Sequence, residues 1–130
     1  MVKRIHHVNF IVRDLDAAVA CYERVLEMPV TSRDRLEERG VDIARFKVGE
    51  TWLVLVQPTH AGTIPARHLE RHGEGFFLLS LEVDDLDREI DRLGSGCFAG
   101  EQRGGLDDWQ VIDVHAHDTF GAQLQYVTDS

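Results

Sequence analysis

His7-Val8-Asn9-Phe10-Ile11-Val12-Arg13-Asp14-Leu15-Asp16 and Leu78-Leu79-Ser80-Leu81-Glu82-Val83-Asp84-Asp85-Leu86-Asp87 are two versions of one pattern. Each runs as a strand with one apolar face and then meets an Asp suited to cap a helix. Residue 7 falls on 78, and the same spacing of 71 carries Val12 onto Val83, Asp14 onto Asp85 and Leu15 onto Leu86. The spacing returns far downstream, where Leu53-Val54-Leu55-Val56 falls on Leu124-Gln125-Tyr126-Val127. Two separated segments that share one spacing point to an internal duplication.

After each Asp the apolar period lengthens from two to about 3.6 residues. Leu15, Ala18, Tyr22 and Val25 mark the stripe of one helix, and Leu86, Ile90 and Leu93 that of the other, which Gly94 can end. Strand-like stretches follow at 29–35, 41–48 and 51–57, then at 96–102, 109–115 and 122–128. Between the halves a short helix is expected near Pro65–His72, with Pro65 suited to its first turn. The expected fold is α+β, a single domain over 1–130 with two tandem βαβββ modules forming cupped mixed sheets. The modules span about 4–57 and 76–128, joined by a linker helix region at 58–75.

At 130 residues, 43% hydrophobic and 28% charged, the chain can bury a core and carries no disordered tail. A net charge of −9 disfavours nucleic acid as a partner, because the average field repels phosphates. No run nears the ~18 apolar residues of a membrane span, and Met1-Val2-Lys3-Arg4 does not open a signal peptide. A cytoplasmic protein with no membrane partner is expected. Cys21 and Cys97 are too few for a disulfide framework or zinc knot, and Cys21 is expected to pack along the first helix. Half-open sheets leave exposed edges, which predicts a homodimer.

Strand side chains alternate between faces. Val8, Phe10 and Val12 form an apolar face for packing under a helix, opposite His7, Asn9 and Ile11. By the same parity Leu79, Leu81 and Val83 pack, while Leu78, Ser80 and Glu82 point away. Leu53 and Leu55 oppose Trp52, Val54 and Val56, and Leu124 and Tyr126 oppose Gln123, Gln125 and Val127. The second face thus gathers His7, Asn9, Trp52, Ser80, Gln123 and Gln125 among apolar neighbours, the composition of a small-molecule cleft. A small organic ligand is the expected partner, with Trp52 as its aromatic wall. The competing reading puts these polar side chains at a solvated rim and Trp52 in a packing gap. Asp113, His115 and His117 also alternate at a spacing compatible with metal ligands, but ligand-type residues alone under-specify a site and the preferred reading is a solvated strand end. Gly104-Gly105 reads as a loop, since no strand–glycine loop–helix order surrounds it.

Three motifs carry a family resemblance: residues 7–22, from His7 to Tyr22; Val48-Gly49-Glu50-Thr51-Trp52-Leu53; and His68-Leu69-Glu70-Arg71-His72-Gly73-Glu74-Gly75. Together they resemble the vicinal oxygen chelate superfamily, which includes glyoxalase I, bleomycin-resistance proteins, extradiol dioxygenases and methylmalonyl-CoA epimerase. The third motif is most similar to the epimerase linker. The resemblance implies the glyoxalase-like fold and a divalent metal held from the first and fourth strands of each module. Its four ligand positions fall on His7, Val54, Leu78 and Gln125. Val54 and Leu78 cannot coordinate, and Gln125 is a neutral donor that cannot serve as a general base. The expectation is therefore no metal and no cofactor, in a protein that binds a small organic molecule like the bleomycin-resistance branch. The alternative is a metal-dependent lyase, isomerase, epimerase or dioxygenase of the same superfamily. A third reading is an interaction domain.

Overall fold

A computed structural model of the protein describes residues 1–129. Its elements run β1 (Arg4–Ile11), α1 (Leu15–Leu26), β2 (Ser32–Leu36), β3 (Val41–Val48), β4 (Thr51–Pro58), α2 (Ile64–His72), β5 (Gly75–Glu82), α3 (Leu86–Leu93), β6 (Phe98–Gly104), β7 (Gln110–Val114) and β8 (Leu124–Thr128). Single 3-10 turns lie at Glu37–Arg39, Ser95–Cys97 and Ala116–Thr119.

The duplication is written in the backbone. β1 and β5 are displaced by 71 residues at both ends, from 4 to 75 and from 11 to 82. The Val12 N–H donates to the Val56 carbonyl at 2.9 Å, and the Val83 N–H to that of Val127 at 2.9 Å, the same bond one repeat on. Both helices begin on their capping Asp. Asp14 accepts from the Ala17 N–H, and Asp85 from those of Asp87 and Arg88. Strand order is β2-β3-β4-β1 in one module and β6-β7-β8-β5 in the other. The fold is the α+β, glyoxalase-like paired βαβββ arrangement. The middle strands do not keep the spacing, because α3 has 8 residues where α1 has 12. The Ser95–Cys97 and Ala116–Thr119 turns then start β6 and β8 two residues later than expected.

Compactness divides the chain into one unit of Val8–Phe77 and a second of Met1–His7 with Leu78 onward. In the first unit, α1 covers one face of the β2–β4 ladder. Its core is Val12, Leu15, Val19, Ala44, Phe46 and Leu55, flanked by Phe10, Ala18, Tyr22, Leu26 and Leu53. Register pairs Ala44 with Leu55 and Phe46 with Leu53, so the parity assigned to Leu53 and Leu55 holds. The helix stripe needs one correction: Val25 is 71% exposed, and Val19 and Leu26 take its place, as a 3.6-residue period from Leu15 requires. Cys21 is exposed on the outer side of α1, not packed along it. In the second unit the core is Val83, Leu86, Phe98, Ile112 and Tyr126, with Leu81, Ile90 and Val114 against it. Leu93 is 37% exposed; the neighbouring buried position is Glu89, whose carboxylate takes Arg92 Nη2 at 2.8 Å.

The linker helix forms where expected, with Thr63 accepting from the Ala66 N–H and Pro65 in the first turn. On it, His68 Nε2–H donates to the Phe76 carbonyl at 3.2 Å, which fixes the tautomer because a carbonyl only accepts. Its ring meets Phe77 edge-on at 4.8 Å. Burial holds the His68 pKa below its ordinary value of 6.5; the neighbouring His72 adds to the effect and the Phe76 bond opposes it. The neutral ring is therefore the one folding favours. Its contribution is complete above the unfolded pKa of about 6.5 and is lost as pH falls through that value toward the lower folded one. Urea midpoints should accordingly fall less steeply between about pH 7 and 5 in His68→Gln than in the parent chain. Parallel declines would show that His68 is not linked to folding.

Candidate functional site

Polar side chains stand on the sheet faces away from the helices in each unit. In the second unit, β5 and β8 pair in parallel and set Ser80 opposite Gln125, while β7 sets Asp113 opposite Gln125. The Asp113 carboxylate can only accept, so it takes the Gln125 Nε2–H at 3.1 Å and turns the amide oxygen toward Ser80. Ser80 Oγ–H donates to that oxygen at 2.9 Å. Arg103 Nη1 closes the series on the other Asp113 oxygen at 2.8 Å. Ser80 is 0% and Gln125 5% exposed, so this is a buried network whose direction is set by its one carboxylate. Gln123 lies just before β8, where its carbonyl accepts the Leu79 N–H at 3.0 Å.

The second unit holds a further assembly that sequence reasoning missed. Asp129 Oδ2 accepts from His6 Nε2 at 2.8 Å, so a neutral His6 ring presents Nδ1 as an acceptor, and His7 Nδ1 meets it at 2.8 Å. The His7 ring stacks on Trp109 with centroids 5.0 Å apart and planes 18° off parallel. Trp109 is held by a tight loop, with the Gly105 N–H donating to its carbonyl at 2.7 Å. A Cβ on Gly105 would come within 3.2 Å of the Trp109 Cβ, so the close approach depends on this glycine. The available signal was a tryptophan placed just before a strand. The pairing with residues 6, 7 and 129 was not legible, because nothing local specifies it.

In the first unit, Asn9 Oδ1 is buried and has no hydrogen-bond partner among the described residues. An orphaned buried acceptor costs about 1–3 kcal/mol and calls for a donor from outside the chain. Trp52 stands at the register partner of Lys47 on β3, and its ring has both Arg45 and Lys47 over it. Val54, one pair further along, is 3% exposed. The His115 and His117 rings meet with centroids 5.1 Å apart, while Asp113 is engaged by Gln125 and Arg103, and His117 pairs with Asp118 at 3.3 Å.

These features define a class: a paired βαβββ protein with polar residues set among buried valines and leucines on the faces away from its helices. Residues 4–126 match the family model described as the Glyoxalase/Bleomycin resistance protein/Dioxygenase superfamily, and the chain belongs to that superfamily. It is similar to an ethylmalonyl-CoA/methylmalonyl-CoA epimerase of Cereibacter sphaeroides, 28% identical over 96% of this chain and 97% of that protein. A Streptomyces coelicolor methylmalonyl-CoA epimerase variant solved with 2-nitronate-propionyl-CoA superposes with a TM-score of 0.91 at 27% identity, covering 100% of this chain and 96% of that one. A methylmalonyl-CoA epimerase in complex with methylmalonyl-CoA and NH4+ does so with a TM-score of 0.91, 27% identity and the same coverage.

These findings overturn the expectation of a protein without a cofactor. The superfamily typically binds a divalent metal, and one neighbour was solved with methylmalonyl-CoA and the cation NH4+. The expectation treated four side chains as the whole supply of donors, whereas substrate oxygens, waters and backbone carbonyls also coordinate hard cations. The four side chains alone do not fit a divalent ion: Val54 and Leu78 are buried hydrocarbon, and the Gln125 amide is engaged by Ser80 and Asp113. Among the described residues no group of three or more His, Cys, Asp or Glu is placed to hold one. Among the same residues, no helix is long and apolar enough to cross a membrane.

Proposed function

We propose that the protein binds an acyl-coenzyme A thioester, acting as one domain over residues 1–130 and as a homodimer. The observation that supports ligand binding is the buried Asn9 Oδ1, unpaired among the described residues, an acceptor that a ligand N–H or O–H would satisfy. The likeness over the full chain to epimerases solved with coenzyme A thioesters supplies the ligand class. Asn9 and Trp52 are the residues assigned to contact it. The names of the relatives favour a second reading, an isomerase that epimerises its thioester. Against it stands the amide of Gln125, which cannot take a proton from carbon.

Native mass spectrometry of protein purified without chelator is expected to show a dimer retaining, or titrating with, an acyl-coenzyme A. Asn9→Leu should weaken that binding about tenfold, the worth of one buried hydrogen bond to a ligand. Methylmalonyl-CoA incubated with the protein in deuterated water, with and without added divalent ion, separates the two readings. Binding without deuterium entry at the α-carbon is the expected result, and deuterium entry would establish the isomerase. No binding of any acyl thioester would end both.

A further inference from the structure

Asn9 takes in the first module the place that Ser80 takes in the second, 71 residues on. The Val12 N–H bonds to the Val56 carbonyl as the Val83 N–H does to that of Val127, so β1 and β4 share the parallel register of β5 and β8. In that register Ser80 stands opposite Gln125, and 71 residues earlier Asn9 stands opposite Val54. Ser80 donates to the Gln125 amide at 2.9 Å, whereas the Val54 side chain is buried hydrocarbon with nothing to donate. The repeat thus closes one polar pair and leaves its counterpart unanswered. Asn9 Oδ1 is covered, and neither it nor Nδ2 has a partner among the described residues.

A buried water answers this poorly, since it needs several polar neighbours and Val54 supplies none. A fully ionised anion has no proton to give to Oδ1. A half-turn of the carboxamide exchanges its oxygen and nitrogen, so the group that satisfies it either way carries both an N–H and a carbonyl. Beside hydrocarbon, that group is a neutral link flanked by methylenes and not a donor next to a charge. We propose that Asn9 binds a secondary amide of the pantetheine arm, so that the first module grips the part common to all coenzyme A thioesters and not the acyl group. The ligand class rests on the proposed function. A thioester carbonyl only accepts and would leave Oδ1 unanswered, whereas each of the two pantetheine amides offers the missing donor.

Calorimetric titration with S-acetylpantetheine and two analogues, each with one amide N–H replaced by an ester oxygen, tests the assignment. One analogue is expected to bind about tenfold more weakly than S-acetylpantetheine, the worth of one buried hydrogen bond. In Asn9→Leu that difference should vanish, because the partner of the N–H is gone. Leucine also removes an unanswered acceptor, so the variant is expected to bind less while its denaturant midpoint is no lower than that of the unaltered chain. The analogues act on the unaltered chain, so their result does not depend on the variant folding. Absent binding of S-acetylpantetheine, equal affinity for all three compounds, or a difference that persists in Asn9→Leu overturns the assignment. Equal affinity for N-acetylglycine methylamide, whose amides stand at peptide spacing, also overturns it. A parallel titration with acetyl-coenzyme A keeps the two ideas apart. If the coenzyme A thioester binds while both ester analogues match S-acetylpantetheine, the Asn9 assignment falls and the proposed function stands. If S-acetylpantetheine binds through its N–H to Asn9 while no acyl-coenzyme A binds, the assignment stands and the proposed function falls.

Discussion

Gln125→Glu is expected to lower the unfolding free energy by about 2–4 kcal/mol at neutral pH, although it changes one atom. The amide nitrogen that donates to Asp113 at 3.1 Å would become a carboxylate oxygen facing a carboxylate. The residue is 5% exposed, so the new charge would be desolvated as well as repelled, while Arg103 sits on the far Asp113 oxygen. Burial and the like charge both raise the folded-state pKa of the introduced carboxyl. A raised carboxyl pKa means the destabilisation grows as pH rises above the unfolded value of about 4.3 and shrinks toward it. Denaturant unfolding of the variant and its parent at about pH 7 and 5 checks both parts. A variant as stable as the parent at neutral pH would show that Asp113 does not dictate the amide.

Phe46→Ala should cost about 3–5 kcal/mol, read as a fall in denaturant midpoint with an unchanged slope. Phe46 is 0% exposed, lies beneath α1 with Val19 and Leu55, and meets the Tyr22 ring at 6.4 Å. Strands on two sides and a helix above leave little room for the cavity to collapse, so the loss belongs in the upper part of the range for core truncations. A cost under about 1 kcal/mol would mean that this core repacks freely and that α1 is not anchored there.

The duplication, the helix starts and the packed faces were legible because each is local or periodic. Asp14 and Asp85 cap the turns they begin, and the parity that put Leu53, Leu55, Leu81, Val83 and Tyr126 toward helices follows from strand geometry alone. Boundaries slipped where a turn of 3-10 helix consumed residues, at Ser95–Cys97 and Ala116–Thr119, since such short turns leave no period to read. The helix stripe erred at Val25 because a four-residue step and a three-residue step differ by one position in sequence but by a helix face in space. What the residues determined by themselves was the paired βαβββ pattern and the polar side chains set away from its helices. Only the tertiary structure decided their company: that Gln125 answers to Asp113, that His7 lies on Trp109 beside His6 and Asp129, and that Trp52 carries two cations. Those contacts join residues from different strands, and a one-dimensional pattern fixes which face a side chain occupies without fixing what stands across from it.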